Sequence, residues 1–248
     1  MYFLIIVIVF SFALMHAIEI SSFGSRVAGR ITARTALGTT LALTIYTLSR
    51  FILIIFLPAL GYLVESGISV NNYLILVTLT FILTAAISII IILKLNRLQQ
   101  FYQVLFHKYS DHTIPVALIK SLINSTIEFK LRVCDEFNFS HLIFKKTLVS
   151  FIAYMFLSTG FFISFLLAVL YPENRLTVSQ FTAAFHGFGA VIFAFYLDPM
   201  LSRSIDSHSD DTTWLKNVYS ILFGRFLSYL IMIIMLLIFF LYRFFWLS

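Results

Sequence analysis

The chain has 248 residues, of which 60% are hydrophobic and 11% charged, and its mean hydropathy is +0.99. Soluble domains carry about 25% charged residues, so this composition excludes an ordinary water-facing protein and points to a bilayer. The net charge of +6 comes with no basic patch interleaved with aromatics, which argues against nucleic acid and for contact with anionic membrane lipids. A single cysteine, Cys134, excludes an intrachain disulfide.

The first apolar run has no basic residues ahead of it and no small-x-small site near Ala17, so it reads as a spanning helix rather than a cleaved leader. A span needs about 20 apolar residues. Six stretches qualify: 2–20, 35–57, 73–93, 147–170, 178–201 and 218–241. The expected fold class is therefore all-α, a polytopic membrane protein forming one integral membrane domain over residues 1–248.

Lys and Arg set the orientation. Arg26, Arg30 and Arg34 fall between spans one and two. Lys94, Arg97, Lys108, Lys120, Lys130, Arg132, Lys145 and Lys146 fall between spans three and four, and Arg203 and Lys216 between five and six. Only Arg175 and Arg243 lie on the other side, which makes both termini extracytoplasmic. Within the cytoplasmic loop, 94–146, residues 114–133 read as an interfacial amphipathic helix opening at Pro115. The loop splits the chain into two sets of three spans with opposite starting sides. That leaves room for a 3+3 inverted repeat, although no internal sequence similarity supports one.

Ionisable groups within a bilayer cost about 2.5–3.5 kcal/mol each even on lenient scales, so they carry the functional signal. Here they are His16, Glu19, Arg50, His186, Asp198 and Arg225. Arg50 lies about 22 Å into span two at 1.5 Å per residue. It ends a stripe of Thr40, Thr44 and Thr47 that is expected to face the bundle. Arg225, about 12 Å into span six, either faces inward beside Ser228 and Tyr229 or snorkels to the headgroups. His16 and Glu19 share a helix face at the cytoplasmic end of span one, where Glu19 could pair with Arg26. Asp198 before Pro199 has the form of a helix N-cap. Ala183, Gly187, Ala190 and Ala194 form a small-residue stripe beside His186 and predict close helix packing.

Placed by depth, Arg26, Arg30, Arg225 and Arg50 form a cationic path suited to a compact anion such as a diphosphate, since guanidinium forks bind phosphate oxygens in pairs. His16, Glu19, Asp198 and His186 are the candidates for proton or charge coupling. Signals for chemistry are absent. There is no phosphate-binding glycine loop, and the GxG at 187–189 is mid-span. His107, His112, Cys134 and His141 lack zinc-site spacing, and no nucleophile stands by a base. Neither enzyme activity, metal nor cofactor is expected.

The segments MHAIEISSFGSRVAGRITARTAL (15–37), LSR (48–50), LPALGYLVESG (57–67) and RLTVSQFTAAFHGFGAVIFAFYLDP (175–199) resemble the Amj family, the alternate lipid II flippases of bacteria. The resemblance implies movement of undecaprenyl-diphosphate-linked peptidoglycan precursor from the inner to the outer leaflet of the cytoplasmic membrane. Glu19, Arg26, Gly29, Arg50 and Asp198 fall on its motif positions, while His186 stands where the resemblance leads one to expect Asn. Two other readings stay open: a proton or ion channel, and a membrane scaffold without transport. The oligomeric state is left undetermined.

Overall fold

A computed structural model of the chain describes residues 2–109, 113–123, 136–206 and 210–246. It contains six helical segments long and apolar enough to cross a membrane. Span one is α1, Tyr2–Ile31. Span two is α2, Thr35–Ser49, joined through a tighter 3-10 turn, Arg50–Ile52, to α3, Leu53–Glu65. Span three is α4, Val70–Leu93, capped by Ser69 and reached through Gly67, whose φ of 81° suits a residue without Cβ. Two shorter helices follow, α5, Leu95–Tyr109, and α6, Ile114–Ile123. Span four is α7, Phe144–Leu170. Span five runs through α8, Arg175–Ser179, then α9, Phe181–Ile192, a five-residue π turn, Phe193–Leu197, and α10, Asp198–Asp206. Span six is α11, Asp211–Trp246. The chain is an all-α, multi-pass membrane protein.

Several expectations are corrected by the helix boundaries. Arg26 and Arg30 sit in the last two turns of α1 rather than in a loop, because α1 runs about eleven residues past its apolar stretch. That extension moves His16 and Glu19 from a helix end into the interior, where each is 2% exposed. Polar Ser21, Ser22 and Ser25 sustain the helix by bonding carbonyls, Ser22 back to Glu19 and Ser25 across to Gly38. Of the amphipathic helix expected over 114–133, residues 114–123 are helical and 124–133 lie outside the described residues. The helix α5 is an addition: Leu95, Tyr102, Leu105 and Phe106 bury one face against α1 and α2, a pattern hidden in the sequence by a polar other face.

The two halves share a plan. In the first, α1 lies between α2–α3 and α4; in the second, α7 lies between α8–α10 and α11. In each half the second span is interrupted near its middle and crosses the first span at glycine. Gly29 and Gly38 meet backbone to backbone, such that a Cβ on Gly38 would lie 2.6 Å from the Ser25 carbonyl oxygen. Gly189 sits so close to Ala153 and Leu157 of α7 that a Cβ there would lie 2.6 Å from Leu157. The halves join mainly where α4 meets α11, with smaller contacts of α1 on α11 and of α3 and α4 on α7. The half of the axis nearer the N-terminus of α1 is filled by rings: Phe12 packs against Phe56, Phe81 and Phe162 at centroid distances of 5.5, 5.7 and 5.0 Å.

Span five stands apart. Only 6% of its most apolar stretch is buried, against 56% for span four. It leans on α7 along one line, and α2–α3 leans on α1. Between these two peripheral spans runs a groove with α1 and α7 as its floor.

Candidate functional site

The charged residues gather behind and along this groove. Behind it, Glu19 is the shared partner of two arginines. Arg225 from α11 donates to Glu19 Oε2, and Arg50 Nη2 lies 3.1 Å from Glu19 Oε1. Ser49 Oγ also donates to Glu19, at 3.3 Å. Arg225 is 0% exposed. Its Nε donates to the Tyr229 hydroxyl at 2.6 Å, its Nη2 donates to His16 Nδ1, and its guanidinium carbon lies 4.5 Å from the centre of the Tyr154 ring. Snorkelling is therefore ruled out for Arg225. The true start of its helix at Asp211, with Trp214, Leu215 and Val218 all buried, places it deeper than the apolar run suggests.

His16 packs against Phe12 with centroids 4.3 Å apart and the rings tilted by 58°, and its Nδ1 accepts from Arg225 and from the Tyr229 hydroxyl, the latter at 2.9 Å. A nitrogen that accepts from a guanidinium carries no proton, so the ring proton lies on Nε2.

Arg50 forms the boundary between this buried cluster and the groove. Its side chain is 24% exposed. It bonds the Tyr46 hydroxyl one turn back, with its guanidinium carbon 4.4 Å from that ring, and its Nη1 lies 3.3 Å from His186 Nε2 of α9. The stripe expected to bring Arg50 inward does not do so. Thr40, Thr44 and Thr47 are exposed, and the last two return their hydroxyls to carbonyls four residues back at 3.0 and 2.9 Å. The inward face of α2 is instead Gly38, Leu41, Ala42 and Ser49. Arg50 follows directly on buried Ser49 at the edge of that inward face, and its long side chain spans the remaining distance to Glu19.

Nearer the C-terminal end of α1, Arg26 Nη1 lies 2.9 Å from Asp198 Oδ1, and Arg30 Nε lies 3.0 Å from Asp211 Oδ1. Asp198 is no N-cap: its φ and ψ of −65° and −47° are helical, and the π turn runs straight into it. The Glu19–Arg26 pair considered from sequence does not form; Arg26 reaches span five instead. Arg34, at the mouth, donates to the Phe106 carbonyl oxygen at 2.7 Å and ties α5 to the bundle.

Among the described residues, the groove holds a lower and an upper cavity. The lower, about 210 Å³, lies among Ser22, Arg26, Tyr46, Tyr154, Ala190, Ala194 and Asp198. The upper, about 340 Å³, lies among Leu53, Phe161, Phe165, Gln180, Thr182, Ala183 and His186. The Arg50–His186 contact and the stacked rings of Tyr46 and Phe193, 6.3 Å apart, stand between them. The small-residue stripe of α9 is thereby explained differently from the close packing expected of it. Ala183, Ala190 and Ala194 line the cavities, and a Cβ on Gly187 would meet nothing within 4 Å. The packing face is the opposite one, through Gly189. His112 and Cys134 lie outside the described residues.

The arithmetic of charge is simple. Among the described residues Arg26 and Asp198 balance, as do Arg30 and Asp211, whereas Arg50 and Arg225 share Glu19 alone. With His16 neutral, its one ring proton on Nε2 and its Nδ1 accepting, the cluster holds one excess positive charge, and Arg50 is its member at the groove.

No curated protein and no solved structure matches the chain. A family model described as Alternate to MurJ matches residues 12–241, which takes in every charged residue of the groove and of the cluster behind it, and the chain belongs to the Amj family.

Proposed function

We propose that the protein is a lipid II flippase, carrying undecaprenyl-diphosphate-linked peptidoglycan precursor from the inner to the outer leaflet of the bacterial cytoplasmic membrane. One observation carries the reading: an uncompensated guanidinium charge is held beside a groove that opens sideways, between spans two and five. A lipid-linked anion needs that geometry, because its headgroup must pass a polar passage while its tail stays in hydrocarbon.

In this account the diphosphate enters past Arg30 and Arg26 and displaces Asp198 from Arg26. It then exchanges onto Arg50, whose fork suits two phosphate oxygens, while Arg225 keeps Glu19 in place behind. The Arg50–His186 contact separates the lower cavity from the upper and opens as the headgroup passes. Coupling to a proton gradient falls to Asp198 and His186, which line the cavities, more readily than to His16 and Glu19, which are sealed behind them. Charging His16 would require Nδ1 to give up Arg225. Exchange that continues unchanged after both the proton and voltage gradients collapse would remove the coupling step.

An axial ion channel is disfavoured by the rings of Phe12, Phe56, Phe81 and Phe162, which fill the axis above the cluster. A scaffold would not need an excess cation at a groove. The test is reconstitution of the full chain in liposomes with labelled lipid II. Exchange above that of protein-free liposomes, without conductance in planar bilayers, is the expected result; conductance without exchange favours the channel.

A further inference from the structure

The two cavities differ in chemistry as well as in height. The lower one is lined by ions, Arg26 and Asp198, with Ser22 and two tyrosines. The upper one has no side chain of fixed charge. It presents Ser179, Gln180, Thr182 and His186 from one wall, facing Phe161 and Phe165 on the floor. Thr182 Oγ1 is buried there with no hydrogen-bond partner, and Gln180 is exposed. Both lie within about two turns of the start of α8, on a segment that lines the cavity on one side and is largely exposed elsewhere. An unsatisfied hydroxyl at membrane depth costs free energy. It is tolerated when a ligand or water in a cavity completes it.

Neutral hydrogen-bonding groups opposite aromatic rings match a pyranose ring. Its hydroxyls and amide substituents bond amide and hydroxyl side chains, while its axial C–H face packs on an aromatic ring. A volume of about 340 Å³ falls within the ~300–1,000 Å³ of small-molecule sites. We propose that the upper cavity is a carbohydrate subsite, in which Gln180 and Thr182 bond the sugar adjoining the diphosphate while Phe161 or Phe165 packs against its ring. The assignment rests on the flippase reading and adds to it a reason for sugar dependence. Arg50 selects the diphosphate, and the cavity beyond it selects what the diphosphate carries.

The test compares two fluorescent probes binding to the detergent-solubilised full chain: undecaprenyl diphosphate bearing an N-acetylated amino sugar, and the same lipid without sugar. Wild type should bind the glycosylated lipid more tightly. Gln180→Leu with Thr182→Val should weaken the glycosylated lipid about tenfold, the scale of two lost hydrogen bonds, and leave the bare lipid unchanged. Arg50→Ala should weaken both. If the double variant fails to fold, Gln180→Leu alone, at an exposed position, carries the same comparison, and Thr182→Ser should retain binding.

Equal wild-type affinity for the two probes, or equal weakening of both by the variants, overturns the subsite. So does free N-acetylglucosamine binding more tightly than the glycolipid, which would make the ligand a free sugar. Sugar-selective binding with no leaflet exchange in liposomes would strike the flippase reading and leave the subsite standing.

Discussion

Glu19 holds two guanidinium groups with one carboxylate, and its removal strands both. Leaving one buried charge unpaired costs about 3–5 kcal/mol, so Glu19→Gln should lower the melting temperature in detergent more than any other single change in the cluster. Arg225→Gln should cost less, because it leaves Glu19 and Arg50 as a neutral pair. The reverse order of melting temperatures would contradict the charge arithmetic. Arg50→Lys keeps the charge yet cannot hold Glu19, Tyr46 and His186 together from one planar fork; it should preserve the melt but slow exchange. The importance of these residues is legible in the sequence, since ionisable groups in an apolar run are conspicuous. Their pairing is not legible. Arg225 and Glu19 are 206 residues apart, and nothing local to either names the other.

At the scale of elements, two glycines in α9 separate packing from passage. Gly189→Ala would push a Cβ into Leu157 and the Ala153 carbonyl, and Gly38→Ala would do the same to α1. Each should cost about 1–3 kcal/mol, measured by thermal unfolding. Gly187→Ala meets open space and should be neutral or stabilising by up to about 1 kcal/mol, the difference in helix propensity. Ala190→Trp fills the lower cavity from its exposed wall. It should leave the melt within about 0.5 kcal/mol, the ordinary range for surface changes, while blocking exchange in liposomes. Fast exchange by Ala190→Trp would mean the headgroup travels elsewhere. Periodicity revealed that a small-residue stripe exists, but a groove wall and a packing seam both require small side chains. Only the position of α7 behind Gly189 separates the two. Likewise the Thr40–Thr47 stripe, read as inward, faces out because α2 packs on α1 through Gly38, Leu41 and Ala42, and the Thr44 and Thr47 hydroxyls can stay outside by bonding their own helix.

At the scale of the molecule, the number of spans follows from six apolar runs, each long enough for a bilayer, and the expected orientation from the crowding of Lys and Arg on alternate loops. Helix ends do not follow, because α1, α10 and α11 continue through polar residues that pack on α5 and on one another. The groove between spans two and five is visible only in three dimensions, since it is the space two peripheral spans leave when each packs on its own half. The account stands on one claim, that Arg50 at mid-height of this groove receives a lipid-linked diphosphate. The most direct measurement is the rate of leaflet exchange of labelled lipid II in liposomes for wild type and Arg50→Ala at matched incorporation. The account predicts a fall of at least about tenfold, the scale of one lost charge-assisted pair. An Arg50→Ala protein that exchanges lipid II at the wild-type rate contradicts it.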